Sequence, residues 1–194
     1  MSAPQPSANE VPSGRGDHRQ RWDALGVIIA SMVGLLALVV SGYTAYIQRQ
    51  QVRAQVWPYL EYSTSNVPPH TELDWLNKGV GPAIVRNVTV ALDGKAQPDW
   101  NGVWRTLAVT PPNHLITSSL NGMVISPGET VRWLSFLTPA DMNAFVVAKA
   151  RAHMHVTVCY CSTLGECWRT EDSRNTPKPV QQCPSIPVSQ QFEQ

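Results

Sequence analysis

The stretch HMHVTVCYCSTLGECW, residues 153–168, decides how the chain is read. Between Arg151 and Cys161 the residues alternate in character with period two, the spacing of a β-strand. Ala152, Met154, Val156, Val158 and Tyr160 fall on one side as a core face, and Arg151, His153, His155, Thr157, Cys159 and Cys161 on the other. The five residues STLGE then separate Cys161 from Cys167, a loop short enough to join two antiparallel strands.

Three chemistries compete for these side chains. Histidines at i and i+2 of a strand project in parallel, so His153 and His155 could share a zinc or copper ion, with thiolates on the same face completing the set. Distance opposes a single four-ligand site: His155 and Cys159 are four strand residues apart, roughly 13 Å. Redox catalysis wants C-x-x-C at a helix N-terminus, whereas the spacings here are C-x-C and C-x5-C. Disulfides fit best, as Cys161–Cys167 across the hairpin and Cys159–Cys183 holding the tail, although four cysteines allow three connectivities. Each bridge would stabilise the domain by about 2–4 kcal/mol.

Disulfides need an oxidising compartment, so the rest of the chain must explain how this segment leaves the cytosol. Residues 24–47, ALGVIIASMVGLLALVVSGYTAYI, carry no charge, and about 20 apolar residues in helical form span a bilayer. This predicts a transmembrane helix; a signal peptide cleaved after Ser41 competes, but its apolar region would be only about 7–15 residues long. Trp22, Tyr43, Tyr46 and Trp57 are placed as interfacial anchors. Arg15, Arg19 and Arg21 precede the span and Arg49 and Arg53 follow it, which favours a cytoplasmic N-terminus by a narrow margin. Small residues recur at Gly26, Ala30, Gly34, Ala37, Ser41 and Ala45, a stripe that would let two helices approach closely as a homodimer. Such residues are also simply common in membrane helices, so both readings stand.

Residues 1–23, rich in Pro, Ser and Gly, read as a disordered leader, and 48–57 as a helical stalk ended by Pro58. Residues 58–172 hold short β-type runs separated by turns: YLEYSTS, ELDWLN, AIVRNVTVALDG, HLITSS, GMVI, TVRWLSFL, AHMHVTVCYC and CWRTED. Two helical inserts interrupt them. Asp99 caps one that puts Trp100, Trp104 and Leu107 on one face, and Thr138, Pro139 and Asp141 open the other as N-cap, N1 and N3. The expected architecture is mainly β: an immunoglobulin-like sandwich with short helical inserts, preceded by one transmembrane helix. Residues 173–194 read as a Pro-rich, irregular tail pinned by Cys183.

Four segments carry a resemblance: QVRAQVWPYLEY (51–62), LNKGVGPAIVRNVTVALDGK (76–95), ISPGETVRWLSF (125–136) and VCYCSTLGECW (158–168). Over roughly residues 43–172 the chain resembles uncharacterised bacterial single-pass membrane proteins with a C-terminal periplasmic β-sandwich-like domain. The resemblance implies a bacterial inner-membrane location and supplies no catalytic residues.

The remaining motifs are weak. Net charge is +1, and no basic patch with interleaved aromatics points to nucleic acid. Gly79 and Gly81 make a G-x-G, but no third glycine, following helix or acidic residue completes a dinucleotide site, so positive φ angles are the expected use of both. Asp74, Glu129, Asp141, Glu166 and Asp172 read as turn or cap residues, and no G-x-S-x-G or H-E-x-x-H is present. The sequence therefore predicts a non-enzymatic, membrane-anchored periplasmic binding or scaffolding domain without a cofactor. Its expected partners are the lipid bilayer and an envelope protein met at strand edges or end loops, including the Trp100 and Trp104 insert. Copper or zinc handling through His153 and His155 is the alternative.

Overall fold

The computed structural model describes residues 16–67, 70–112 and 115–193, which divide into two compact units with the boundary after Gln50. The first is dominated by helix α1, Gly16–Gln55, long and apolar enough to cross a membrane, with its apolar side chains exposed. Ser41 and Thr44 donate their hydroxyls to the carbonyls of Ala37 and Val40, so neither is left unpaired on an apolar surface. Residues 16–23, expected in the leader, are helical instead. Once the apolar run has nucleated a helix, each further residue adds a hydrogen bond at little cost, and no proline stands in their way. The rest of the expected leader, 1–15, lies outside the described residues.

The second unit contains two antiparallel sheets. Strands β1 (Leu60–Val67), β2 (His70–Asn77), β5 (Ile116–Thr117) and β7 (Thr130–Phe136) form one, in the order β1-β2-β7-β5. The other comprises β3 (Ala83–Leu92), β4 (Lys95–Gln97), β6 (Val124–Ile125), β8 (His155–Cys161), β9 (Cys167–Glu171) and β10 (Arg174–Val180). It runs β10-β9-β8-β3-β4, with β6 pairing with β3. Buried residues of both sheets, among them Trp75, Trp133, Val88, Val158 and Tyr160, form one core cluster. Along β3 the inward set changes phase, from Ala83 and Val85 to Val88, Val90 and Leu92. A register shift against β8 between Val85 and Asn87 accounts for it, because one extra residue in a strand swaps the faces of all that follow.

Both helical inserts form with the expected caps. Helix α2, Trp100–Leu107, begins where Gly102 donates its N–H to Asp99 Oδ1 at 2.6 Å, and α3, Pro139–Arg151, where Asp141 N–H donates to Thr138 Oγ1 at 3.2 Å. Trp100 and Trp104 are only 6% and 5% exposed, so the insert expected to meet a partner is part of the core. Trp100 packs on Trp133 with ring centroids 4.7 Å apart, and Trp104 on Phe145 of α3 at 5.3 Å.

The segment 173–193 is more ordered than its prolines suggest. It opens as β10, an edge strand, where proline's missing N–H is tolerated, and its register against β9 is broken between Arg174 and Lys178. Beyond Cys183 the chain is held by Asn87 Nδ2 donating to the Pro184 carbonyl. Phe192 then turns into the core, its ring 5.1 Å from Trp100 and its N–H bonded to the Val88 carbonyl.

Gly79 and Gly81 do not have positive φ angles. Their need for hydrogen in place of Cβ comes from packing: a Cβ on Gly79 would strike the Trp57 carbonyl oxygen, and one on Gly81 the Val56 carbonyl. Asn77, fully buried, fixes this loop. Its Oδ1 accepts from the N–H groups of Tyr59 and Gly79, and its Nδ2 donates to the carbonyls of Gly81 and Ile125.

Candidate functional site

Helix α3 carries Met142, Phe145, Val146 and Lys149 at the 3–4 spacing that sets side chains on one face. Together with Leu73 of β2 and Met154 they wall a cavity of about 490 Å³. Leu73, Met142, Phe145 and Met154 are buried, whereas Val146 is 43% exposed. Polar groups are concentrated at its margin: Tyr62 and Thr64 of β1, Lys149, His153 and His155.

Lys149 is held there by opposite charge and by an aromatic face. Its Nζ lies 2.5 Å from Asp172 Oδ2 and 5.1 Å from the centre of the Tyr62 ring. Asp172 is fixed in turn, Oδ1 accepting from the Val156 N–H at 3.1 Å. Burial, and then the negative charge of Asp172, push the Tyr62 phenol well above its ordinary range, so it remains a hydrogen-bond donor at any physiological pH. The result is a mostly apolar chamber whose one cation is already neutralised, suited to an uncharged apolar group with a polar end.

The histidines reach this cavity differently from the strand reading. Helix α3 runs to Arg151, and His153 lies in the left-handed region at φ 42°, two residues before β8 begins. Its Nδ1 is 2.8 Å from Oδ1 of Asp93, another left-handed residue, while the Asp93 N–H donates to the Ala152 carbonyl. The parallel i, i+2 projection from one strand is therefore absent. Among the described residues no third His, Cys, Asp or Glu joins the two histidines in a compact ligand cluster.

The cysteines pair as Cys159–Cys183 and Cys161–Cys167, with no free thiol among them. Sγ atoms of Cys161, Cys167 and Cys183 lie within 4.8 Å of one another, a spacing a metal could use if they were thiolates. As disulfide sulfurs they lack the anionic form that binds metal. They line a second cavity, about 370 Å³, with Arg86, Asn87 and Pro184.

Asp74 was not legible as a special residue. It lies inside β2, not in a turn, at the register shift against β7, and is 6% exposed with no hydrogen-bond partner for Oδ1. Burial, then the neighbouring Glu72 carboxylate, raise its pKa to about 6, and Arg132 opposes them. Glu129, Asp141 and Glu166 do serve turns, caps or the hairpin loop. Gly26, Ala30, Gly34, Ala37 and Ser41 lie along α1, with open space beside Gly26 and Gly34.

Among known proteins, no family model and no curated protein matches the sequence.

Proposed function

We propose that the chain is a membrane-anchored binding protein: α1 spans the bacterial inner membrane from a cytoplasmic N-terminus and carries an immunoglobulin-like sandwich in the periplasm. The anchor is supported by the exposed apolar length of α1, and the oxidising compartment by two disulfides. The resemblance to bacterial single-pass membrane proteins agrees with both. The domain binds or scaffolds and catalyses nothing; its ligand is an apolar group, free or on an envelope protein, seated in the α3 cavity.

That cavity carries the reading, since buried Leu73, Met142, Phe145 and Met154 wall it and Tyr62, Lys149 and His155 supply polarity at its margin. A photoreactive benzoylphenylalanine at Val146 in the full chain, irradiated in intact membranes, tests it. A discrete adduct at 146, missing when the probe replaces exposed Lys178, is the expected result. Equal labelling at both sites, or none, would overturn it.

Copper or zinc handling is a second reading, resting on His153 and His155 lining one cavity. Calorimetry of the full chain with Cu(II) and Zn(II) separates the two, because no heat in the micromolar range removes the metal reading. Self-association through Gly26, Ala30, Gly34, Ala37 and Ser41 is a further part of the proposal. Gly34→Ile should abolish dimers in membranes, and an unchanged dimer fraction would exclude this interface.

A further inference from the structure

Cys159 and Cys161 leave β8 on the same face, two residues apart, but their partners arrive from different directions. Cys167 comes across the β8–β9 hairpin, and Cys183 from the tail. The bridges are consequently neighbours: Cys161 Sγ lies 3.8 Å from Cys183 Sγ. This is an attacking distance for a thiolate, and the sulfur approached belongs to the other bridge. Cys161, Cys167 and Cys183 also face the 370 Å³ cavity, through which a small dithiol can reach them.

We propose that the two bridges form one thiol–disulfide exchange site, in which Cys161 can take over the tail from Cys159. An external dithiol first reduces Cys161–Cys167. The sulfur–sulfur bond breaks, both sulfurs gain a proton, and the dithiol leaves as its own disulfide. Cys161, losing its proton, then attacks Cys183 Sγ. The Cys161–Cys183 bond forms, the Cys159–Cys183 bond breaks, and the electron pair departs on Cys159, which takes up a proton. The second step consumes no electrons. It leaves Cys159 and Cys167 as thiols and passes the tail's attachment to a residue two positions further along β8, while the Cys183 sulfur, already 3.8 Å from Cys161, closes only the remaining gap to bonding distance. Asn87 holds the carbonyl of Pro184, the residue after Cys183, so the displacement pulls against that hydrogen bond and the tail beyond it.

The decisive variant is Cys167→Ser in the full chain, which leaves Cys161 as a thiol beside an intact Cys159–Cys183 bridge. After acid quenching, alkylation and peptide mapping, both Cys159–Cys183 and Cys161–Cys183 linkages are expected, within about tenfold of each other. Their exchange should be faster at about pH 8 than at about pH 6, because the thiolate is the nucleophile. A single Cys159–Cys183 linkage, with all label on Cys161 after long incubation, would overturn the proposal. Should C167S not fold, wild-type protein treated with limiting dithiothreitol gives the same decision. Label on Cys159 together with Cys167 supports exchange; label confined to Cys161 with Cys167, or to Cys159 with Cys183, refutes it.

Discussion

Lys149 Nζ and Asp172 Oδ2 are 2.5 Å apart, joining the last turns of α3 to the end of β9, with side chains only 19% and 3% exposed. A pair so withdrawn from water is costly to break from one side, since the remaining charge keeps its desolvation penalty. Lys149→Met alone should lower the unfolding free energy by about 3 kcal/mol in denaturant titrations. Adding Asp172→Asn should recover most of that loss. A single variant as stable as the wild type would show that water already reaches the pair.

Asn77 offers a second test, because all of its side-chain hydrogen-bonding capacity is used on backbone groups of three segments. Asn77→Ala leaves those groups facing a small cavity without partners. A loss of about 3 kcal/mol or more is expected, read from the shift in the urea midpoint. Gly81→Ala should be comparably damaging through collision with the Val56 carbonyl, although the substitution adds only one methyl group.

The raised pKa of Asp74 gives a pH dependence with a definite sign. Its ordinary value is 3.8 and its folded value about 6, so between these limits the folded chain holds more protons than the unfolded chain. The contribution of this group is present below about pH 4 and is lost as pH rises through about 6. Asp74→Asn should remove that dependence and stabilise the protein at neutral pH, by up to about 3 kcal/mol. Unfolding midpoints of the two proteins, compared from about pH 4 to about pH 7, check both statements.

Phe192 fills the core beside Trp100 and Trp133 from just beyond a single 3-10 turn, Val188–Gln190. Phe192→Ala should destabilise the protein by about 3 kcal/mol through the cavity left behind. Near-ultraviolet dichroism of the tryptophans should change with it, and unaltered spectra and stability would mean that the ring is dispensable.

Much of the architecture could be read locally. The alternation at Met154, Val156, Val158 and Tyr160 gave the core face of β8, the Asp99 and Thr138 caps placed both inserts, and a five-residue loop between cysteines paired Cys161 with Cys167. What escaped depends on residues far apart in the chain. His153 looked like a strand residue because a period of two continues through it; the strand starts later because α3 persists to Arg151 and Asp93 meets the turn from 60 residues away. The shared face of Trp100 and Trp104 is legible from their spacing as one that covers the sandwich; that β7, α3 and the tail bury it and leave no ring for a partner is not. ELDWLN is legible as a strand, but the burial of its Asp74 at a register shift against β7 is not, and the α3 cavity is made by packing between elements that no local pattern connects.

The bond between Cys159 and Cys183 ties the tail to β8. Phe192 follows Cys183 by nine positions, so its ring behaves as a ligand on a short leash. When it slips from between the tryptophans it stays in the vicinity at an effective concentration in the millimolar range, and its return is a unimolecular event. Reducing the bond lengthens that leash only as far as the paired end of β10 at Val180, so the ring returns somewhat more slowly while the sheet itself still keeps it near its seat.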